Sequence, residues 1–469
     1  MAVNLPPLSR RSFIGTTTGA GAALALGSTF WQDAFAMPAT PGPGPYGSIA
    51  GIAPDANGLV LPPGFTSRII GRTGETVPGT DYTWHVAPDG VGTFSTPSGG
   101  WILVCNSETL GVLGGGASAI EFDAAGNVVG ARRVLGDTQV NCGGGVTPWG
   151  TWMSGEEFDL VEYTSPAVPG FPFGPGVAGQ IWECDPTGAT PGIAHPTLGF
   201  FSHEAVSVDP ATNIVYLTED QGDGHLYRFT PSTPNVGGRP DLSVGLLEVM
   251  VVSNPAAFPT GTSTVTWAAV PDPTANPVPT RKQVPTATKF NRGEGMWFDS
   301  GVVYFATTGD DRVWAYTPAT STLEVIYDFA TAGPDRPLED PDNLTVHAPS
   351  GDLFVAEDDG NLELVLITSP TEGARTASSF MRITGQSGTE VAGVVFNPAG
   401  DRLYFSSQRG IDADRGITYE VTGPFRNVGP TPVVPESPLS IALPVGAVAL
   451  GGAAMWVRHQ RMQGVAAEG

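Results

Sequence analysis

Between Asn141 and Glu157 the chain reads NCGGGVTPWGTWMSGEE, a thiol and two carboxylates around a turn rich in glycine and tryptophan. Consecutive glycines let the backbone pass close to a ligand or adopt positive φ, and Trp149 and Trp152 can wall such a turn off from water. Cys142 is expected there as a thiolate ligand, with Glu156 or Glu157 adding a hard oxygen to a trivalent or divalent cation. A buried structural cysteine in a tight strand connection fits the same residues. Three later segments carry oxygen donors at corresponding early positions: Glu204, Glu294, and Asp342 with Asn343. Carboxylates brought together around one axis cannot all stay ionised without cations, because like charges in a partly dry site repel strongly. The set therefore predicts metal.

The elements that must position these donors are visible as a repeat. Segments starting at His203, Gly293, Pro341 and Val391 share one plan: a strand, a turn of Pro, Gly or Asp, a second apolar strand, an acidic or glycine-rich turn and usually a third strand. Segments starting at His85 and Gly143 follow it more loosely. With 63 Gly and 44 Pro, 14% charged residues and no long amphipathic helical window, the chain reads as all-β. Six such units predict a six-bladed β-propeller with loop insertions, since radial packing leaves few exposed strand edges. The first strand of each blade would then line the channel. Inserts such as Ser232 to Lys289 are expected to be loops on one face. The formal charge of −24 excludes nucleic acid as a partner and suits Ca²⁺ and other hard cations.

The ends of the chain indicate where it works. Ser9, Arg10, Arg11, Ser12, Phe13 and Ile14 precede a soft apolar run to about Phe30, and Ala34-Phe35-Ala36 offers a small-residue cleavage site. This resembles a twin-arginine export signal over residues 1–36, which predicts export of an already folded protein to the periplasm, the cell surface or the medium. At the other end Val434-Pro435-Glu436-Ser437 is followed by an apolar run from Leu439 to Val457 and by Arg458, His459 and Arg461. That is similar to a PEP-CTERM sorting tail, with VPES in place of the usual Pro-Glu-Pro. Residues 431–469 are thus expected to form a linker and a membrane or surface anchor. Residues 37–430 would be the propeller, acting as a monomer.

Six segments in order, NCGGGVTPWGTWMSGEE, FSHEAVSVDP, YLTEDQGDG, NRGEGMWFD, EDPDNLTV and AEDDGN, resemble the PhoX-type alkaline phosphatases, and the likeness runs from about His85 to Arg409. The resemblance implies a propeller holding a pair of Fe³⁺ ions and several Ca²⁺ ions, which hydrolyses small phosphate monoesters outside the cytoplasm. It implies that Cys142 bridges the irons, that Glu157, Glu204 and Glu294 supply carboxylates, and that Asp359 is the acidic ligand of the AEDDG turn, with Asp358 close behind. Asn106, in CNSE, would sit near the phosphate and Arg292 would bind it. The chain has Ser154-Gly155-Glu156-Glu157 where the family often has Thr-Cys-Glu-Glu, so a second nearby cysteine is absent.

Arg292 stands two positions before Glu294, so along an extended strand both point to one face. A cation binder beside a metal ligand suits an anion between them, while pairing of Arg292 with Glu294 or Asp340 is the simpler arrangement. His85 and His203 read as polar core residues or outer partners of a metal site. Cys105 and Cys184 fit either a pair or two buried thiols. Serine-nucleophile and zinc-protease chemistry are disfavoured, since the core has neither a G-x-S-x-G elbow nor an H-E-x-x-H motif. Two other readings fit the repeat: a calcium-dependent lactonase using Glu204 and Asn343 on one axial metal, and a non-catalytic surface module.

Overall fold

A computed structural model describes residues 38–158, 179–253, 262–411 and 415–428. The expected export signal and the sorting tail lie outside them. Contacts divide the chain between Asn427 and Val428, and all the described residues except Val428 belong to the first unit.

The described residues contain strands and short 3-10 turns and no α-helix. They form five sheets in a propeller-like arrangement. Strands Pro88–Ser95, Trp101–Ser107, Gly116–Phe122 and Val128–Gly136 make the first antiparallel meander. Strands Asn141–Val146, Trp152–Glu156, Ile181–Cys184 and Ile193–Ala194 make the second. A nine-stranded sheet runs from His203–Val208 outward to Gly245–Val252, passes through Thr262–Ala269, and returns from Thr322–Asp328 to Gly293–Asp299. Pro341–His347 begins the fourth sheet and Val391–Phe396 the fifth. Thr66–Arg72, from the N-terminal side, pairs antiparallel with Ile417–Thr422 and completes the last sheet, so the two ends of the described chain close one ring.

The strands that start these units pack side by side in chain order, and Val391–Phe396 returns to pack on Pro88–Ser95. The hydrophobic core is correspondingly split among the faces between neighbouring sheets. Leu364, Phe380, Phe405 and Tyr419 share one such core, and Trp101, Phe122, Val395 and Tyr404 share the next. Each fully buried aliphatic or aromatic side chain of this kind contributes about 1.5–3 kcal/mol. Trp101 Nε1 donates to the Tyr404 hydroxyl at 3.1 Å, which ties the first sheet to the last across the closure, and Trp84 Nε1, in the segment before the first sheet, donates to Thr418 Oγ1 at 3.0 Å.

The insert expected to be loop between Ser232 and Lys289 differs in part: Gly245–Val252 and Thr262–Ala269 are strands. The reason lies in its first half, where GLLEVMVV is rich in β-branched and apolar residues and extends the sheet. Its prolines are concentrated further on, from Pro271 to Pro285.

Candidate metal centre

One backbone device recurs in six strands. The pairing Pro88↔Ser107 is followed by Val91↔Cys105, so Asp89 and Gly90 together face only one residue of the partner strand. The same single-residue bulge falls at Cys142-Gly143, Glu204-Ala205, Glu294-Gly295, Asp342-Asn343 and Gly393-Val394. A bulge leaves a residue out of the ladder and re-aims its side chain. Its first residue is a potential metal ligand in five of these six strands. In the sixth it is Gly393, at φ 55°, where a Cβ would lie 2.4 Å from the Asp89 carbonyl oxygen. The second bulge residue is glycine in three of the strands, Gly90, Gly143 and Gly295, for a related reason: a Cβ on Gly295 would stand 2.5 Å from Asn343 Cα, so only glycine lets the neighbouring strands approach this closely there.

The bulges bring donors together in three groups, with the ligand atoms of each group within 4.8 Å of one another. Cys142, Glu157 and Glu204 form the first; Glu204, Glu294 and Asp342 the second; Asp89, Glu108 and Glu390 the third. Glu204 joins the first two. Burial, followed by the surrounding carboxylates, pushes Glu157, Glu204 and Glu294 well above the usual carboxylate range. Burial and Asp89 likewise push Asp342 up, and burial raises Asp89 itself. Two ionised carboxylates about 4 Å apart repel by about 4 kcal/mol at an effective dielectric of 20. Cys142 follows the same logic: burial and then Asp89, Glu204 and Glu157 raise its thiol, so a thiolate there requires a cation beside it.

The residues fit metal ions on a further observation. Asp89 Oδ1 and Glu204 Oε2 are buried and accept no hydrogen bond, which leaves an unsatisfied oxygen in each of the three groups. Buried oxygens without donors are costly, and a cation would satisfy them. The remaining oxygens are organised by amides. Gln408 Nε2 donates to Asp89 Oδ2 at 2.5 Å and to Glu108 Oε2 at 2.6 Å, and Asn343 Nδ2 donates to Asp342 Oδ1 at 2.9 Å.

Arg292 sits at φ 57°, one residue ahead of the strand position that precedes the bulge, Gly293. Its Nε and Nη2 each donate to Asp220 at 2.9 Å, Nη2 lies 3.2 Å from Glu294 Oε1, and Nη1 lies 3.6 Å from Asp358 Oδ2. The guanidinium therefore borders the acidic groups, but through Asp220 and Asp358 besides Glu294, and not through Asp340. Asn106, expected near the phosphate, is fully buried below the centre. Its Nδ2 donates to the Cys142 and Gly143 carbonyls at 2.8 and 2.7 Å, and its Oδ1 accepts from Trp152 Nε1 and Ser154 Oγ at 2.9 Å. With every polar site engaged, it supports the thiol-bearing turn and has no atom left for a ligand.

In the acidic turn Asp359 is exposed, whereas Asp358 meets Arg292 and Glu390. Glu156 is held in the fold by the backbone amides of Gln139 and Gln180, at 2.9 and 3.2 Å, which leaves Glu157 as the donor beside Cys142. His203 is buried, donates its Nε2–H to the Gly199 carbonyl (3.0 Å) and lies over Phe201. His85 is buried against Trp84. Burial lowers both imidazoles to about 3, as befits neutral core residues. Cys105 and Cys184 are separate, buried free thiols.

Asp89, Glu108, Glu390, Asp220, Gln408 and Arg409, whose guanidinium lies 3.0 Å from Glu390 and 3.6 Å from Glu108, were not expected at the centre. Asp89 had a usable signal, since its Asp-Gly doublet before Val91 parallels Glu294-Gly295 before Met296. Glu108 is the acid of the CNSE segment itself. Glu390 and Gln408 have none, because they arrive through the last sheet rather than through a motif.

A family model described as alkaline phosphatase PhoX matches residues 115–410, a span that includes Cys142, Glu157, Glu204, Arg292, Glu294, Asp342 and Glu390. Among solved structures, Pseudomonas fluorescens PhoX in complex with vanadate, a transition state analogue, is 16% identical over 79% of this chain and 97% of its own, with a TM-score of 0.63. A virginiamycin B lyase from Staphylococcus aureus, catalytically inactive and bound to quinupristin, is 12% identical over 76% of this chain and 99% of its own, with a TM-score of 0.40. A gluconolactonase from Xanthomonas campestris is 12% identical over 73% and 98%, with a TM-score of 0.38. No curated protein matches the sequence.

Proposed function

The chain belongs to the PhoX alkaline phosphatase family and is a phosphoric monoester hydrolase, and from that premise we propose which of its residues hold the metals and the ester. The nine-stranded sheet counts as two blades joined through Thr262–Ala269, which makes a six-bladed propeller with the other four sheets. Fe³⁺ is assigned to Cys142, Glu157 and Glu204, the group with a thiol. Ca²⁺ is assigned to the all-oxygen groups of Glu204, Glu294 and Asp342 and of Asp89, Glu108 and Glu390. Asp358 takes the place expected for Asp359. When bound, such ions supply Lewis acidity toward the phosphoryl group and lower the pKa of the attacking oxygen.

The protein's own groups do the rest. Asp220 fixes two nitrogens of Arg292, so Nη1 is presented in a set orientation to an arriving phosphoryl group, as preorganised transition-state stabilisation requires. An anionic ester approaching a chain of net charge −24 needs this local reversal of sign. Asn106 and Trp152 hold the Cys142 turn from below and keep it dry.

The observation that carries the reading is the repeated bulge, which delivers five potential ligands from five strands to adjoining groups. The test is elemental analysis for iron, calcium and sulfur on protein from an exporting host, paired with hydrolysis of p-nitrophenyl phosphate before and after calcium chelation. Activity should vanish on chelation and return with calcium; undiminished hydrolysis after exhaustive chelation and desalting would defeat the calcium assignment. Export is assigned to the twin-arginine route through Arg10 and Arg11, with residues 431–469 as a surface or membrane anchor. Replacing both arginines by lysine should keep the protein in the cytoplasm, and normal export of that variant would remove the assignment.

A further inference from the structure

The six bulged strands have a second end. Their N-terminal residues carry the donor groups, whereas their C-terminal halves and the turns that follow enclose a separate cavity of about 500 Å³. Gly90, Gly143, Gly295, Gly393 and Asn343 border it on the side of the metal centre, so a waist of mostly glycines, packed backbone to backbone, stands between the two spaces. Met296, Trp297, Phe298, Val346 and Phe396 contribute its apolar walls. No charged side chain lines it among the described residues.

Two side chains are out of place in such walls. Ser207 and Thr345 are buried, 5% and 0% exposed, and the hydroxyl of each has no hydrogen-bond partner. Both line the cavity. A buried hydroxyl without a partner destabilises the free protein, and valine at position 345 would keep the shape and avoid the cost. A volume of this size, mostly apolar walls and a few polar groups without partners are the features of a small-molecule site. The absence of charge selects against phosphate esters, metal ions and other ionic ligands, which would lose hydration without compensation.

We propose that this cavity is a second binding site, distinct from the metal centre, for a neutral amphiphile: an apolar chain or ring ending in a hydroxyl that pairs with Ser207 and Thr345. The site lies behind the glycine waist, so it binds without competing with the phosphate ester.

The probe is 1-octanol, titrated into the full-length metal-loaded protein and followed by the fluorescence of Trp152 and Trp297, which line the cavity. Saturable binding is expected, weakened about threefold to tenfold in Thr345→Val and again in Ser207→Ala, the loss of one ordinary hydrogen bond each. Thr345→Val should unfold at an equal or higher temperature than the parent without octanol, yet gain less from its addition. Hydrolysis of p-nitrophenyl phosphate should be the same in parent and variants and insensitive to octanol at saturation. The proposal is overturned by a lack of saturable binding, by an affinity in both variants equal to that of the parent, or by competition between octanol and the phosphate ester.

Discussion

Asn106 Nδ2 donates to the carbonyl oxygen of Cys142 at 2.8 Å, and the same nitrogen reaches the Gly143 carbonyl at 2.7 Å. One amide from the first sheet thus holds the bulge of the second, the bulge whose side chain is the thiol. Asn106→Ala should leave these carbonyls, Trp152 Nε1 and Ser154 Oγ short of partners. The expected cost is about 2–4 kcal/mol of stability, since each unsatisfied buried group costs about 1–3 kcal/mol and such losses are not additive. Denaturant melts of the variant check this, and its iron content should fall in step. A variant as stable as the parent would show that the turn does not depend on Asn106.

Arg292 is clamped by Asp220 through two bonds of 2.9 Å, which turns its remaining nitrogen toward the acidic groups. Arg292→Ala should lower kcat/KM for a phosphate monoester by roughly two to four powers of ten, with metal content unchanged, and inorganic phosphate should lose its inhibition in parallel. Arg292→Lys should recover only part of this, because an ammonium cannot keep the two-pronged contact with Asp220. Normal kinetics in Arg292→Ala would remove the residue from ester binding.

Outside the three donor groups, Glu183 collects Trp149 Nε1 and Thr151 Oγ1 at 2.7 Å, and His195 Nε2 and Arg239 Nη2 at 2.8 Å. Burial alone would raise this carboxyl, but the bonds from His195, Thr151 and Trp149 outweigh it and hold it at about 2. With the folded value below the ordinary one near 4.5, the group's stabilisation is complete above about pH 4.5 and is lost as pH falls toward 2. Glu183→Gln should therefore flatten the acid limb of the stability curve in that window and cost about 2–4 kcal/mol at neutral pH. Parallel acid limbs for parent and variant would contradict it.

Much of the centre is legible in the sequence, for a physical reason. Cys142, Glu204, Glu294 and Asp342 stand at one repeat position, and a repeated strand must deliver equivalent positions to one place. The bulge that aims them is not legible, because it depends on cross-strand register rather than on composition. Arg292 stays beside Glu294, with Nη2 3.2 Å from Oε1, although its positive φ and the nearby bulge break the period of two. The AEDDG turn offers two adjacent aspartates, and backbone direction, which composition does not encode, turns Asp358 inward. Glu390 and Gln408 come from the last sheet, and only the closure of the ring brings them to Asp89.

In the proposed centre Cys142, with Glu157 and Glu204, holds iron in an active phosphatase. The most direct measurement of this is the visible spectrum and iron content of the exported protein and of Cys142→Ala, read beside hydrolysis of p-nitrophenyl phosphate. The predicted result is a thiolate-to-iron charge-transfer band in the parent, with band, iron and activity lost together in the variant. A parent protein that is colourless and free of iron yet fully active would contradict it.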